Sequence, residues 1–207
     1  MDKQAREARE QMKQLSRKER WINFWYYYRV HIIASVFAAI AVAVGISECV
    51  RQVEYDLDIA YYSTSYVNNE AITKLNEEIQ KNIEDINNDA QSIIWIAPCY
   101  ASLNDASEQT QAALLRLQTE ISAGNSMGYI MDERFFELVY ESYGECFEKV
   151  ILISDYPEIK EMLGLKEDTK LYWLTKVLYE SEKGDEKKIG AHENAIRVQN
   201  YFESLEK

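Results

Sequence analysis

From Val30 to Ser47 the chain carries no formally charged residue, taking His31 as neutral, and this run limits the fold more than any other feature. Ile32, Ile33, Val36, Phe37, Ile40, Val42, Val44 and Ile46 recur through it with alanines between them. Eighteen helical residues rise about 27 Å, close to the hydrocarbon thickness of a bilayer at roughly 30 Å. Trp21, Phe24, Trp25, Tyr26, Tyr27 and Tyr28 precede the run. Such amphipathic rings favour the headgroup layer, and Arg29 just beyond them can snorkel towards phosphate. A buried core helix of a soluble protein seldom carries an aromatic and basic collar at one end. A cleaved signal fits less well, because the charged region ahead of the apolar core is 29 residues long and Ala41-Val42-Ala43 falls inside that core. A lipoprotein signal would need a small residue before Cys49, and Glu48 stands there. The reading is an uncleaved anchor.

Charge sets the orientation. Residues 1–29 hold eight Lys/Arg and four Asp/Glu, a balance of +4, while the whole chain sums to −12, which leaves −16 for the remainder. Cytoplasmic flanks collect Lys and Arg, so residues 1–29 are expected inside as a basic helix, 30–50 in the cell membrane, and 51–207 as an extracytoplasmic domain. Residues 3–20 carry Ala5, Ala8, Met12 and Leu15 on one stripe, either a juxtamembrane extension of the anchor or a short dimerising or lipid-surface helix. A strongly acidic outer domain offers phosphates no basic face, which argues against nucleic acid.

The outer 157 residues suit one domain with one core. Val53, Tyr55, Leu57, Ile59 and Tyr61 alternate with Glu54, Asp56 and Asp58, the period of a strand with one polar face. Ala71, Ile72, Leu75, Ile79 and Ile83 recur at helical spacing, and Ile93–Ile96 is an apolar run fit for a buried strand before Pro98. A helix with Ala113, Leu114, Leu117 and Ile121 on one face stops at Ala123-Gly124. Tyr129–Met131 is a third strand, followed by a helix driven by Phe135, Phe136, Leu138 and Val139. Beyond Pro157, Leu171–Tyr179 reads as a late strand, and Ala191, Ala195, Val198, Phe202 and Leu205 as the stripe of a last helix. Alternation of strand and helix predicts an α/β fold: one transmembrane helix, then a largely parallel sheet with flanking helices.

The run Gln111–Val139, with its Ala-Gly helix stop, short strand and acidic Asp132-Glu133 opening the next helix, resembles a recurring piece of type II extracytoplasmic solute-binding proteins. The strand–helix–strand unit from Asp56 to Pro98 fits the same lobe. The aromatic segment Phe24–Tyr28 with His31-Ile32 resembles anchors of small membrane proteins of Firmicutes-like bacteria. The resemblance implies one lobe of a solute-binding protein, since the domain is long enough for about one.

Catalytic, metal and cofactor motifs are lacking in the sequence. His192 is the sole histidine outside the membrane region and no nucleophile motif accompanies it. Asp85, Asn87 and Asp89 alternate as at the start of a calcium loop, but Ala90 and Ile96 fill the places that require Gly and Glu. They read as a polar turn. Three cysteines, Cys49, Cys99 and Cys146, leave a Cys99–Cys146 disulfide open. The expected function is non-enzymatic binding of an envelope protein or transporter partner; the alternative is a solute receptor whose second lobe comes from another chain. Open α/β sheets bind beyond the carboxyl ends of their strands. Tyr62, Ser63 and Thr64, then Tyr100, then Asp132 and Glu133 are therefore the candidate binding residues, with Tyr62 and Tyr100 either anchors or covers of the sheet edge.

Overall fold

The structure, a computed structural model, describes residues 16–50, 53–104, 107–124 and 126–206. The chain divides into two compact units, Met1–Val53 and Glu54–Lys207.

Within the first unit, helix α1 spans Arg17–Val50, 34 residues and thus about 51 Å. Ser16 and Glu19 start it with a reciprocal capping box: Glu19 N donates to Ser16 Oγ (3.3 Å) and Ser16 N to Glu19 Oε2 (2.9 Å). The helix expected over residues 3–20 is continuous with the apolar helix from Arg17 onward; its earlier part lies outside the described residues. Among the described residues α1 is the one helix long and apolar enough to cross a membrane, and its apolar window is unburied. Trp21 stacks on Phe24 (5.9 Å), Phe24 on Tyr28 (4.9 Å), and the Arg29 guanidinium lies over Tyr26 (5.7 Å), so the collar is a set of i, i+3 and i, i+4 contacts on one helix.

The second unit is a three-layer α/β/α sandwich. Its strands are β1 Leu57–Ser63, β2 Ile94–Tyr100, β3 Gly128–Asp132, β4 Phe147–Leu152 and β5 Leu171–Lys176. Helices α2 Asn69–Gln80, α3 Glu108–Ala123, α4 Glu133–Tyr143, α5 Pro157–Leu163 and α6 Glu186–Ser204 connect and flank them. The sheet order is β2-β1-β3-β5-β4. β1 runs parallel to β2 and β3, whereas β5 is antiparallel to both β3 and β4. The sheet is thus mixed, with four strands in one direction and β5 inserted against them.

Alternate residues of β1 feed the two cores. Leu57, Ile59 and Tyr61 pack with Leu75, Ile79, Trp173, Val198 and Phe202 on the α2/α5/α6 side. Ala60 and Tyr62 pack with Leu117, Ile121, Phe135 and Leu174 on the α3/α4 side. Pro98 is accommodated inside β2 because β2 is an edge strand, where a missing N–H need not face a neighbour.

Two expected strand limits are corrected, one strand was not expected, and the open question of a disulfide is answered. β1 begins at Leu57 rather than Val53, because Asp56 is not on a polar face. It is fully buried, accepting from Ile86 N (2.8 Å) and Ile93 N (2.7 Å). β4 went unread, since Glu148 and Lys149 interrupt a short edge strand that also carries a bulge. The late strand ends at Lys176, not Tyr179. Cys99 and Cys146 are free thiols. Cys99 lies in β2 and Cys146 immediately before β4, the opposite edges of a five-stranded sheet. Four strand spacings of about 4.8 Å separate those edges, well beyond the reach of a disulfide.

Candidate functional site at the carboxyl end of β1

Asp132 organises this end of the sheet. It closes β3 and caps α4, its Oδ1 accepting from Phe135 N (3.0 Å). Its Oδ2 accepts from Ser63 Oγ (3.2 Å), Thr64 N (2.5 Å) and Thr64 Oγ1 (2.6 Å). Four donors on a carboxylate only 7 % exposed replace the water it gave up. The result is a pinned β1–α2 loop, extended by Ser65 N donating to Ser63 Oγ (3.1 Å).

Ser63, Thr64 and Asp132 are thereby brought together, as the strand order predicts, but they are occupied with each other. Glu133 is ion-paired with Lys170. Tyr62 and Tyr100 do not share a site. Tyr62 is buried on the α3/α4 face against Phe135 (ring centroids 5.6 Å), whereas Tyr100 packs on Tyr61 (6.1 Å) on the other face. Tyr62 is thus a core side chain, not an exposed anchor. Tyr100 is half-buried and its hydroxyl donates to Val67 O (3.2 Å), tying β2 to the β1–α2 loop.

The open space beyond the pinned loop is lined by residues that the sequence did not single out. A cleft of about 200 Å³ is lined by Tyr61, Ser63, Ser65, Tyr66 and Val67 and by Leu163, Leu165, Lys166, Thr169 and Leu171. A shallower trough of about 320 Å³ continues it past Tyr66, Val67, Leu163 and Gly164, towards Asn68, Lys74 and Glu161. Tyr66 is 69 % exposed, its ring resting on Tyr100 (5.1 Å). Gly164 ends α5 in the left-handed region (φ +60°), where a side chain would be strained, and so turns the chain along the cleft wall.

The Tyr61 side chain is fully buried, with its hydroxyl beside that of Ser63. Burial, with Tyr100 and Asp132 nearby, pushes its pKa well above the usual tyrosine value, and the nearby Ser63 hydroxyl offsets only part of that, so the phenol stays neutral. The Tyr62 hydroxyl is buried inside the opposite core, with no hydrogen-bond partner among the described residues.

The wall at 163–171 was hidden from sequence reasoning because it reaches β1 only through the antiparallel insertion of β5, which sets Leu171 opposite Asp132. A tyrosine pair at 61 and 62 with serines following was the one available signal, and it does not say which ring faces which layer.

At the amino end, a cleft of about 230 Å³ includes Glu54, Asp58, Asn87, Asp185 and Lys187. Its groups are largely committed: Lys187 pairs with Glu54 (2.8 Å), and Asp185 caps α6 by accepting from Lys187 N (3.0 Å). The cleft at the carboxyl end, which opens beside the exposed Tyr66, is the candidate site.

The alternating Asp85, Asn87 and Asp89 form a chain of turns. Asp85 accepts from Asn88 N (2.7 Å) and Ala90 N (2.8 Å), Asn87 from Asp89 N (2.9 Å), and Asp89 from Gln91 N (2.9 Å). Among the described residues no group of three or more His, Cys, Asp or Glu could hold a metal ion. His192 Nε2 lies 2.8 Å from Glu148 Oε1, bridging α6 and β4. No protein-family model, no curated protein and no solved structure matches the chain.

Proposed function

We propose that this chain is a membrane-anchored, non-enzymatic binding domain, with residues 1–29 in the cytoplasm, α1 through the cell membrane and the α/β unit outside. The unburied apolar face of α1, its aromatic collar and the +4 against −16 charge asymmetry support the anchor and its orientation. The observation that carries the binding reading is the cleft beside β1: a loop pinned by Asp132, an exposed tyrosine at its edge and aliphatic side chains along it.

Filling the cleft tests this. Ser65→Trp places a ring at its mouth, on a residue exposed enough to accept one without entering the core. Small molecules or an envelope protein that raise the melting temperature of the purified full chain should lose that effect in Ser65→Trp and keep it in Lys187→Ala, at the opposite end. The reverse pattern would move the site to the amino end.

A second reading draws on the trough being open to solvent beside an exposed Tyr66. The unit would act as one lobe of a solute receptor of the type II solute-binding kind, another chain or a transporter supplying the surface that closes over it.

A further inference from the structure

We propose that Tyr55 and Trp95 form a second aromatic anchor, seated among the zwitterionic headgroups of the leaflet at which the chain leaves the membrane. This rests on the reading of α1 as the membrane anchor and gives the α/β unit a lipid contact of its own.

Trp95 is 50 % and Tyr55 40 % exposed, and their rings lie 5.5 Å apart at 31°. Val53, two residues before Tyr55, is exposed too. A tryptophan is highly buried on average. One left half open beside a second ring presents apolar faces with an N–H and an O–H at their rims, the form that favours the headgroup layer.

Topology puts both rings where the chain enters the α/β unit. Tyr55 precedes β1 by two positions, and β2 runs parallel to β1 with Ile94 paired to Leu57 and Trp95 to Asp58, so the amino ends of the two strands coincide. The covalent tether is short. Ser47 ends the uncharged run, and Val50, which closes α1, lies about 4.5 Å further along the helix. Five residues from Val50 to Tyr55 reach at most about 18 Å, while a headgroup layer is roughly 5–8 Å deep. Tyr55 is thus held within reach of that layer.

Charge selects the headgroup. Asp58 is the register partner of Trp95, and Glu54 is next to Tyr55, so anionic lipid is repelled. The cations nearby, Lys187 and Lys188, are paired with Glu54 (2.8 Å) and Glu182 (2.7 Å). A choline ammonium over either ring gains a cation–π contact.

Brominated lipid tests this, because bromine quenches tryptophan only on close approach. The full chain carrying Trp21→Phe and Trp25→Phe is placed in phosphatidylcholine nanodiscs, with and without bromine on the acyl chains near the headgroup. Emission of Trp95 is read as the difference from the same chain with Trp95→Phe, which cancels the buried Trp173 and the nanodisc scaffold. Brominated lipid should remove at least half of the Trp95 emission, and aqueous iodide should remove little. Emission indifferent to bromine overturns the inference: if iodide quenches it the ring stands in water, and if iodide does not, a protein partner or a second copy covers it. Bromine quenching that deepens when phosphatidylglycerol replaces a third of the phosphatidylcholine also overturns it, since carboxylates flank the pair. A chain that fails to enter the nanodiscs, seen by size exclusion before any fluorescence is read, overturns the anchor reading and this inference with it.

Discussion

Two aspartates at the start of β1, Asp56 buried and Asp58 half-buried, differ in what surrounds their charge. Asp56 receives backbone N–H groups on both oxygens, and Asn194 Nδ2 donates to its carbonyl (3.2 Å), so one residue gathers the β1 entry, the 85–93 turn and α6. Asp58, two positions on, is half-buried and has no such donors: burial, then the nearby Glu120 carboxylate, raise its pKa. For a carboxylate with a raised folded pKa, the native state holds more protons than the unfolded chain between the two values. Stability is therefore greatest below the unfolded pKa, falls as pH rises towards the folded one, and is constant beyond it. Asp58→Asn removes the charge without changing the shape. It should raise the melting temperature at pH 7, and the gain should shrink as pH falls to about 3, near or below the unfolded value. Circular-dichroism melts of the full chain at both pH values check this; a gain that grows on acidification would reverse the sign of the effect. Neither aspartate's burial was legible in the sequence, because alternation with apolar neighbours marks both as solvent-facing. Asp132 was legible as a helix opener. That it also clasps the preceding loop depends on β1 and β3 being neighbours, a fact of topology rather than of local pattern.

Elements with strong periodicity were read correctly in kind, and their limits were set by partners that the pattern does not include. α2, α3, α4 and α6 follow their apolar stripes because each lies on one face of the sheet. β1, β2 and β3 were found as apolar segments. β4 was missed because an edge strand solvated on one side has little apolar repetition to offer. β5 was found but not oriented, since antiparallel insertion leaves no mark on a strand buried from both sides. Its consequence for β3 is specific: the Trp173 ring lies across Gly128, where a Cβ would approach Trp173 Cη2 to 2.3 Å. Trp173 is fully buried, and its indole N–H donates to Thr175 Oγ1 (3.0 Å), so the ring cannot retreat freely. Gly128→Ala should destabilise the α/β unit by about 1–3 kcal/mol, the usual cost of overpacking. Urea unfolding of the full chain followed by tryptophan fluorescence measures it, and Gly184→Ala, where a Cβ meets open space, is the matched control. Equal midpoints for the two variants would mean that the β3–β5 contact is looser than described.

At the scale of the molecule, the sequence makes the division into an apolar helix and an acidic α/β unit plain, and leaves the cleft unreadable. The proposed orientation has a direct test. With the three native cysteines replaced by serine, a cysteine at Glu141 in α4 should react with a membrane-impermeant maleimide in intact cells, whereas one at Arg6 should react only after lysis. Labelling of the Arg6 position in intact cells would invert the topology. The placement of β5 also bears on the order of assembly. Strands β1, β2 and β3 are complete by Asp132, but the flank of β3 is covered only when residues 171–176 enter beside it. The segment 163–171 that walls the cleft arrives with the same strand. Closure of the sheet and competence of the cleft are then one folding event, late in synthesis, and a chain halted before Leu171 would present a bare β3 edge to its neighbours instead of a binding site.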